Sequence, residues 1–284
     1  MSFDLKAVRI LATKELRDRL RSRWVLVVAL VFTLFSTVIV YAGSAQQGFL
    51  GFRGVEVTIA SLVSLVIYLV PLIALILGYD SIVGERERGS LDLLLSLPIS
   101  RLELLLGKFL GLAVALSIAT LLGLGIVGLA LAWSAPEALL DYAGFVLSSL
   151  LLGMSFLAMA MLISVIASDR TQASGAAIGL WFGFVLIYDL LLLAALVFVG
   201  DGWLSPLLSY GLLLNPTDVY RILNIFHAQD MRTLYGLGSV LPAALNQTGL
   251  LSAIMLLWIV LPLLAAGLLF CRSDTHAHDE ENTV

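Results

Sequence analysis

Six apolar runs, each long enough to cross a lipid bilayer as a helix, dominate this sequence. A helix needs roughly 20 residues to span a hydrocarbon core of about 30 Å. The runs are Trp24–Tyr41, Ile59–Leu77, Leu104–Trp133, Ala143–Ala167, Ser174–Val199 and Gly249–Phe270. Only 13% of the residues are charged and the mean hydropathy is +1.03, too few charges to cover the surface of a soluble domain. We expect an all-α polytopic membrane protein with six transmembrane helices.

The basic residues predict how these helices are oriented, because short loops rich in lysine and arginine stay in the cytoplasm. Of the 16 basic residues, 13 fall on the side of the two termini, and three fall on the other side, at Arg53, Arg221 and Arg232. We therefore expect both termini in the cytoplasm. This distribution sets topology and does not imply nucleic-acid binding. We expect no cleavable signal peptide, since the charged start leads directly into a full-length span.

Residues 1–23 predict an amphipathic helix that lies on the inner leaflet of the membrane. Apolar residues recur there at helical spacing, at Leu5, Val8, Ala12, Leu16 and Leu20. Most of the basic side chains project elsewhere, as in helices that bind a membrane surface. The alternative is a basic anchor that only enforces topology.

A charged and amphipathic segment, Gly84–Arg101, separates the second and third apolar runs, and we call it the bridge. Ser90 is the predicted N-cap of a short helix through Leu97, which a proline then stops. Ser100 and Glu103 match an S-x-x-E capping box for the next helix. With both ends fixed, the bridge is expected to be a docking surface for a partner protein. The alternative is a solvated loop.

The stretch 201–248, which we call the insertion, is too long for a plain connector between the last two spans. Asn215-Pro216-Thr217-Asp218 predicts a turn followed by the cap of a short helix. The apolar passages 203–214 and 234–245 are too short to cross a bilayer and predict re-entrant or interfacial segments. The last residues, 273–284, predict a flexible acidic tail.

The fifth apolar run carries two further features. Gly175, Gly179 and Gly183 form a GxxxGxxxG ridge, which lets another helix approach closely. That helix could belong to the same chain or to a second copy. Asp189 lies well inside the run, where a charge is costly and a functional role is the default interpretation. The alternative is a carboxyl that only bonds to a neighbouring helix.

Residues that could support enzymatic chemistry are few. The three histidines all fall outside the spans, at positions 227, 276 and 278. The single cysteine, Cys271, excludes an internal disulfide and a CxxC motif. Gly107-Lys108 lacks the upstream glycine and the downstream Ser or Thr of a P-loop, so no Walker A site is expected. We predict a chain that is not an enzyme and holds no cofactor of its own.

Three methionines cluster in the fourth run, at Met154, Met159 and Met161. Thioether groups are soft ligands that suit Cu(I). Methionine also fills gaps between apolar helices, which is the simpler interpretation. No metal site is predicted from these residues.

These features together resemble the ABC-2 class of ABC transporter permeases over the whole chain, as a single transmembrane domain, 1–284. The class carries a pattern between its second and third spans that matches here at Glu85, Gly89, Ser90, Asp92, Leu94, Leu95, Pro98, Ser100 and Arg101. A narrower likeness is to permeases of the Nos system, which supports copper-site maturation of nitrous oxide reductase in denitrifying bacteria. It rests on the stretches 14–18, 79–89 and 215–221.

The resemblance implies a homodimer in a bacterial inner membrane, with two copies of a NosF-like cytoplasmic ATPase that binds ATP and magnesium. The bridge would bind the ATPase through Glu85, Arg86, Glu87, Arg88, Gly89, Ser90, Asp92, Leu94, Leu95, Pro98 and Arg101. The first four of these would lie at the interface or brace the short helix internally. The first and fifth spans would line the dimer interface, which places Gly175, Gly179, Gly183 and Asp189 at that interface or beside the transport path. A NosD-like periplasmic protein would contact Asn215, Pro216, Asp218 and Arg221.

The implied function is that of a permease subunit that couples ATP hydrolysis to transport or mechanotransmission across the inner membrane. The cargo stays open between a copper ion, a sulfur species and mechanical force alone. One alternative is an ABC-2 exporter of another substrate. A second is an ion-coupled secondary carrier, which would need several intramembrane charges and repeated halves. The spans provide one candidate acidic group, Asp189, and no clear repeat.

Overall fold

The computed structural model describes residues 3–22, 24–45, 55–199, 210–225 and 247–272. All regular secondary structure in these ranges is helical, which confirms the all-α prediction. Several sequence predictions lie outside the described residues. They are the three histidines, the acidic tail and most of the insertion, including its apolar passage 234–245.

Each of the six apolar runs forms a helix or a pair of helices. The spans are α2 (Trp24–Ala45), α3 (Val55–Gly78), α6 (Arg101–Ser134), α7 (Leu139–Ile166), the pair α8 (Arg170–Phe182) and α9 (Tyr188–Val199), and α11 (Thr248–Arg272). The other helices are α1 (Leu5–Arg21), α4 (Val83–Glu87), α5 (Ser90–Leu95) and α10 (Pro216–Ile225). Five spans are long and apolar enough by themselves, and α2, bent by 65° from α1, completes the sixth.

The fourth span, α7, occupies the centre of the bundle. It packs against α3, α6 and α11 along its length, and Leu152, Phe156 and Leu157 are fully buried there. In the most apolar stretch of α7, 67% of the residues are buried, whereas in that of the fifth span, formed by α8 and α9, 11% are buried. The fifth span contacts α3, α4, α10 and the end of α7 on one face, and its other face lies at the edge of the described bundle. Among the described residues it is therefore the least enclosed span.

Helix α1 lies against the start of α6 because two glycines in α6 leave room for it. A Cβ atom at Gly107 would come within 2.6 Å of the Leu11 Cβ atom, and one at Gly111 within 2.6 Å of the Ala12 carbonyl oxygen. Small residues four apart permit this kind of close helix contact in membranes. The basic helix is thus fixed to the third span.

The apolar face predicted for α1 is divided between the protein and its surroundings. Val8 is buried and Leu16 is partly buried in the contact with α6. Leu5 is 73% exposed and Ile10 is 69% exposed. The helix therefore keeps apolar side chains on its outer surface, as an interfacial helix requires. Its position on the inner leaflet stays a prediction.

The elements rich in basic residues meet at one end of the bundle, which we call the basic end. It contains α1, α4, α5, the start of α6, the start of α8 and the end of α11. Helix α10 lies at the opposite end, beside the start of α9. This arrangement agrees with the topology predicted from the positions of lysine and arginine.

Substitution Gly111→Ala tests the contact between α1 and α6. The added methyl group meets a backbone carbonyl, which cannot rotate away, so we expect a loss of stability of about 1–3 kcal/mol. The unfolding temperature in detergent measures it. Gly125→Ala in the same helix meets open space and is the matched control, since it gains about 1 kcal/mol of helix propensity. Equal unfolding temperatures for the two variants would contradict the packing of α1.

Candidate functional site

The bridge consists of α4 and α5, joined at Gly89. Gly89 has a φ of 68°, in the left-handed region that favours glycine, and it is the N-cap of α5. The prediction that Ser90 is the N-cap was therefore wrong by one residue. Because the chain reverses at Gly89, the Ser90 hydroxyl points back and donates to the Glu85 carboxylate in α4. Helix α5 also ends earlier than predicted, at Leu95.

The predicted capping box at the start of α6 is confirmed. The Ser100 hydroxyl accepts a hydrogen bond from the Glu103 backbone N–H at 3.2 Å, and the Glu103 carboxylate accepts one from the Ser100 N–H at 2.6 Å. The same carboxylate accepts from the Asp4 N–H at 2.5 Å, ahead of α1. The Arg101 guanidinium donates to the Phe270 carbonyl oxygen at 2.8 Å, near the end of α11. The start of α6 is thus fixed to both ends of the described chain.

A buried ion triad joins the bridge to α1 and α6. The Lys108 ammonium group lies 3.2 Å from a Glu15 carboxylate oxygen and 3.2 Å from a Glu85 carboxylate oxygen. The three side chains are 7%, 12% and 15% exposed, in the order Lys108, Glu15, Glu85. Charges withdrawn from water in this way must be paired. Lys108 therefore fixes α4 against α1.

Sequence reasoning missed Glu15 and Lys108 as site residues. Lys108 lies inside the apolar run Leu104–Trp133, and a charge within a span indicates a buried partner or a functional contact. That signal was available, whereas the identity of the partners was not. Glu85 was predicted to contact the ATPase or to brace the bridge, and its contacts within the chain agree with bracing.

The other side of α4 is bound to the end of α7. The Arg86 guanidinium donates to the Ala167 carbonyl oxygen at 2.9 Å and to the Val165 carbonyl oxygen at 3.2 Å. Cations are favoured at a helix C-terminus, where carbonyl groups lack helical partners. The Ser164 hydroxyl oxygen accepts from the Ile82 N–H at 2.9 Å, at the N-terminus of α4. Helix α4 and the end of α7 thus satisfy each other's unpaired backbone groups.

Arg170, the first residue of α8, connects the fifth span to the bridge. Its guanidinium lies 2.8 Å from an Asp80 carboxylate oxygen and 3.3 Å from a Glu87 carboxylate oxygen. Its backbone N–H also donates to Glu87 at 2.7 Å. A side chain at Gly84 would collide with both Asp80 and Arg170, so this ion pair requires glycine there.

The surface of the bridge that faces away from the protein is apolar in part. Leu93 is 72% exposed and Leu97 is 52% exposed, and the exposed residues around them are Arg88, Asp92, Ser96 and Pro98. Leu94 and Leu95 pack against the protein's own core. Of the predicted coupling residues, these two leucines therefore face inward. The sequence prediction passed over Leu93 and Leu97, although their spacing of four residues is the signal of a shared helical face.

At the opposite end of the bundle, the fifth span contains a π-helical segment, Gly183–Ile187. Such segments interrupt the regular hydrogen bonding of an α-helix. The Phe184 carbonyl oxygen there accepts from the Asn215 side-chain amide at 2.9 Å and from the Thr217 hydroxyl at 3.4 Å. The Asn215 turn at the start of α10 is thus bound to the fifth span.

The structure brings Asp189 together with the predicted partner-binding residues of the insertion. The Arg221 guanidinium lies 2.8 Å from Asp189 and 2.5 Å from Asp218, and the Asn215 amide donates to Asp218 at 3.1 Å. Asp189 is therefore paired within the chain. At 1.5 Å per residue it lies about 28 Å along the span from Arg170 and about 15 Å before Val199, the last residue of α9. We call these four residues the polar cluster.

Burial affects the charges of this polar cluster. The Asp218 side chain is 1% exposed, and burial raises the pKa of its carboxyl above the ordinary value, although the Arg221 charge opposes the shift. Burial by itself would lower the pKa of Arg221, but the hydrogen bond that Arg221 donates to Asp189 and the charge of Asp218 raise it. Arg221 therefore stays protonated and holds α10 to α9.

Helix α10 is also fixed to the centre of the bundle. The Tyr220 hydroxyl lies 3.0 Å from the Ser149 hydroxyl of α7, and Asn224 donates to Ser148 at 3.0 Å. Pro216 is the first residue of α10, where a missing N–H costs nothing. The short helix predicted after the Asn215 turn is confirmed.

The glycine ridge of the fifth span faces no other described part of the chain. A Cβ atom built at Gly175, Gly179 or Gly183 would meet nothing within 4 Å. The described spans therefore do not supply the close neighbour that the ridge predicts. Ala177, between the first two of these glycines, is buried on the opposite side of α8.

The methionines of the fourth span pack inside the bundle. Met159 and Met161 are buried, and the Met161 sulfur accepts a hydrogen bond from the Ser81 hydroxyl at 2.8 Å. Met154 is partly buried against the core. Within the described ranges no group of three or more His, Cys, Asp or Glu side chains could hold a metal ion. These contacts agree with the interpretation of the methionines as packing residues.

Comparison with known proteins identifies close relatives over nearly the whole length. The family model described as "ABC-2 family transporter protein" matches residues 9–275. The chain is 47% identical over 273 residues to the "Probable ABC transporter permease protein NosY" of Pseudomonas aeruginosa, covering 93% of this chain and 96% of the relative. It is 43% identical over 274 residues to the protein of the same description from Stutzerimonas stutzeri, covering 93% and 98%.

Substitution Lys108→Met tests the ion triad. It removes the cation that Glu15 and Glu85 share and leaves them the more exposed Arg19 and Arg88 as partners, so we expect a loss of about 1–3 kcal/mol. The unfolding temperature in detergent should therefore fall. The triple variant Glu15→Gln, Glu85→Gln, Lys108→Met removes all three charges and should recover most of the loss. A single variant as stable as the unmodified protein would contradict the triad.

Proposed function

The chain belongs to the ABC-2 family of ABC transporter permeases, and from this premise we propose how it works. It is the membrane-spanning subunit of an ATP-driven machine whose ATP and magnesium are bound by a separate NosF-like cytoplasmic ATPase. Two copies of each chain form the complex in the inner membrane, with both termini in the cytoplasm. ATP hydrolysis is coupled through the bridge to transport or mechanotransmission across the membrane.

The surface of α5 is the single observation that carries this proposal. Leu93 and Leu97 expose apolar side chains at the basic end of the bundle. The bridge that presents them is fixed by the Lys108 triad on one side and by Arg86 on the other. A surface held in this way passes a displacement on to the spans, whereas a loose loop would absorb it.

The Gly107-Lys108 pair supports a separate ATPase, because both residues already have structural roles. Gly107 contacts α1, and the Lys108 ammonium group pairs with two carboxylates. A phosphate-binding lysine has to be free to reach the nucleotide. We therefore assign ATP binding to the partner ATPase.

The open glycine ridge supports the homodimer. In lipid, small residues make close helix contacts favourable, and the fifth span is the least buried of the spans. We assign a second copy of this chain as the occupant of the face formed by Gly175, Gly179 and Gly183.

The similarity to the two NosY permeases supports a role in copper-site maturation of nitrous oxide reductase, with a NosD-like periplasmic protein bound at the insertion. Mechanotransmission is the form of coupling that the contacts favour. Asp189, the acidic candidate of the fifth span, is already paired with Arg221, and Met161 with Ser81. These side chains connect elements of the protein to one another.

The double variant Leu93→Asp, Leu97→Asp tests the docking surface. Placing two carboxylates in an apolar contact should abolish co-purification of the ATPase, because neither charge has a partner there. Both side chains project away from the core, so the unfolding temperature should change little.

The matched control is Leu93→Met, Leu97→Met, which keeps the surface apolar and should retain the ATPase. Charged substitutions at Leu94 and Leu95 are unsuitable, since both side chains pack against the core. Full recovery of the ATPase with the aspartate variant would contradict the proposed docking surface.

Cysteine cross-linking tests the dimer interface. In a Cys271→Ser background, Gly179→Cys should form a disulfide-linked dimer under mild oxidation in membranes, because the position is open. Ala177→Cys is the matched control and should stay monomeric, since that residue is buried within the chain. Failure of cysteines at both Gly175 and Gly179 to link would argue against this interface.

A further inference from the structure

The fifth span is bound to neighbouring segments at two points. At the basic end, Arg170 pairs with Asp80 and Glu87. About 28 Å along the span, Asp189 pairs with Arg221 of α10. Between these points the span packs on one face, where Trp181 donates to a carbonyl oxygen of α3 and Phe184 contacts α7 and α11, and 11% of its most apolar stretch is buried.

We propose that the fifth span carries displacement of the bridge to α10 and the insertion, with Arg170 and Asp189 as its two points of attachment. This inference rests on the proposed function, in which the ATPase moves the bridge. It assigns positioning roles to Asp80, Glu87 and Arg170. The polar cluster is then the point at which the fifth span displaces α10.

The contacts at Arg170 are suited to passing on movement. The guanidinium forms ion pairs with Asp80, ahead of α4, and with Glu87, the last residue of α4. The Arg170 backbone N–H also donates a hydrogen bond to the Glu87 carboxylate at 2.7 Å, and hydrogen bonds to an ionised acceptor are short and strong. Because Gly84 has no side chain, the ion pair lies directly against α4. A shift of α4 therefore displaces the first turn of α8.

The contacts at the second point of attachment bind α9 and the π-helical segment to α10. Asp189 accepts from Arg221 at 2.8 Å, and the Phe184 carbonyl oxygen accepts from Asn215 at 2.9 Å. The Tyr188 hydroxyl donates to the Gly211 carbonyl oxygen at 2.6 Å. Three contacts from adjacent turns thus fix the start of the insertion to the same span.

The fourth span, α7, also contacts both the bridge and α10, through Ser164 and Ser149. It is enclosed by α3, α6 and α11, and 67% of its most apolar stretch is buried. Close-packed interiors resist deformation, so α7 cannot move without repacking the core. Among the described residues the fifth span packs on one face only, against α3, α7 and α11. It can shift along that face while α7 provides the fixed frame.

The test uses the complex of this chain with its co-purified ATPase in lipid nanodiscs. In a Cys271→Ser background, an environment-sensitive fluorophore is attached either at Tyr210→Cys, beside the insertion, or at Leu129→Cys, near the far end of α6. Both positions are exposed. The measured quantity is the emission shift on trapping the ATPase with ATP and vanadate.

With the native contacts, we expect a shift at position 210. Arg170→Gln should abolish that shift while the shift at position 129 and the co-purification of the ATPase persist. Arg170→Lys keeps the charge and should retain part of the response. Glu87→Gln, a milder change at a partly exposed carboxylate, should reduce it.

Removing the ion pair between Asp189 and Arg221 should have the same effect as removing the one at Arg170. Asp189→Asn should abolish the shift at position 210, whereas the double variant Tyr220→Phe, Asn224→Leu, which removes the side-chain hydrogen bonds from α10 to Ser149 and Ser148 of α7, should leave it intact. This pair of variants separates the fifth span from the fourth as the route.

The outcomes distinguish a failure of the proposed function from a failure of the route through the fifth span. No shift at either position in the unmodified complex contradicts the proposed function itself. Shifts at position 210 that survive both Arg170→Gln and Asp189→Asn overturn the route through the fifth span and leave the proposed function standing. Loss of the shifts at both positions in Arg170→Gln, with the ATPase still bound, also overturns it, because the effect would then not be specific to the fifth span.

Discussion

The position of the bridge depends on the buried ammonium group of Lys108. It lies between the carboxylates of Glu15 and Glu85 and so connects α1, α6 and α4 at one point. A buried ion triad is a weak source of stability, since desolvation offsets most of the attraction. Its effect is geometric: the one ammonium group holds a carboxylate of α1 and a carboxylate of α4 beside α6, which sets the position of α4 relative to the other two helices. The exposed face of α5 is oriented by that arrangement.

The two charged residues of the fifth span are paired for a related physical reason. A hydrocarbon core offers no water, so ionised side chains in a span lie near its ends or are paired. Arg170 lies at one end of the span and Asp189 about 28 Å further along it, and each is paired with a different neighbouring segment. Between them the span presents glycine to its surroundings. One helix can therefore have three contacts, with the bridge, with the insertion and with a second copy.

Features that depend on neighbouring residues could be predicted from the sequence. The six spans follow from the length of the apolar runs, and the Ser100 capping box follows from residues three apart. The N-cap of α5 was misplaced because glycine and serine are both good N-cap residues, and the contact with α4 decides between them. In the run Leu93 to Leu95, the packing of α5 beside α4 determines which leucine faces outward. The pairing of Asp189 with Arg221 joins residues 32 positions apart, so only the fold reveals it.

Photo-cross-linking from the bridge in the intact complex is the most direct test of the central claim, that the exposed face of α5 binds the ATPase. A benzophenone amino acid replaces Leu93 in one variant and Leu94 in another, and the cross-linked products are identified by mass spectrometry. The exposed position should link to the co-purified ATPase, and the inward-facing position should link within this chain. An ATPase that co-purifies but links only to other surfaces of the permease, and never to position 93, would contradict the account.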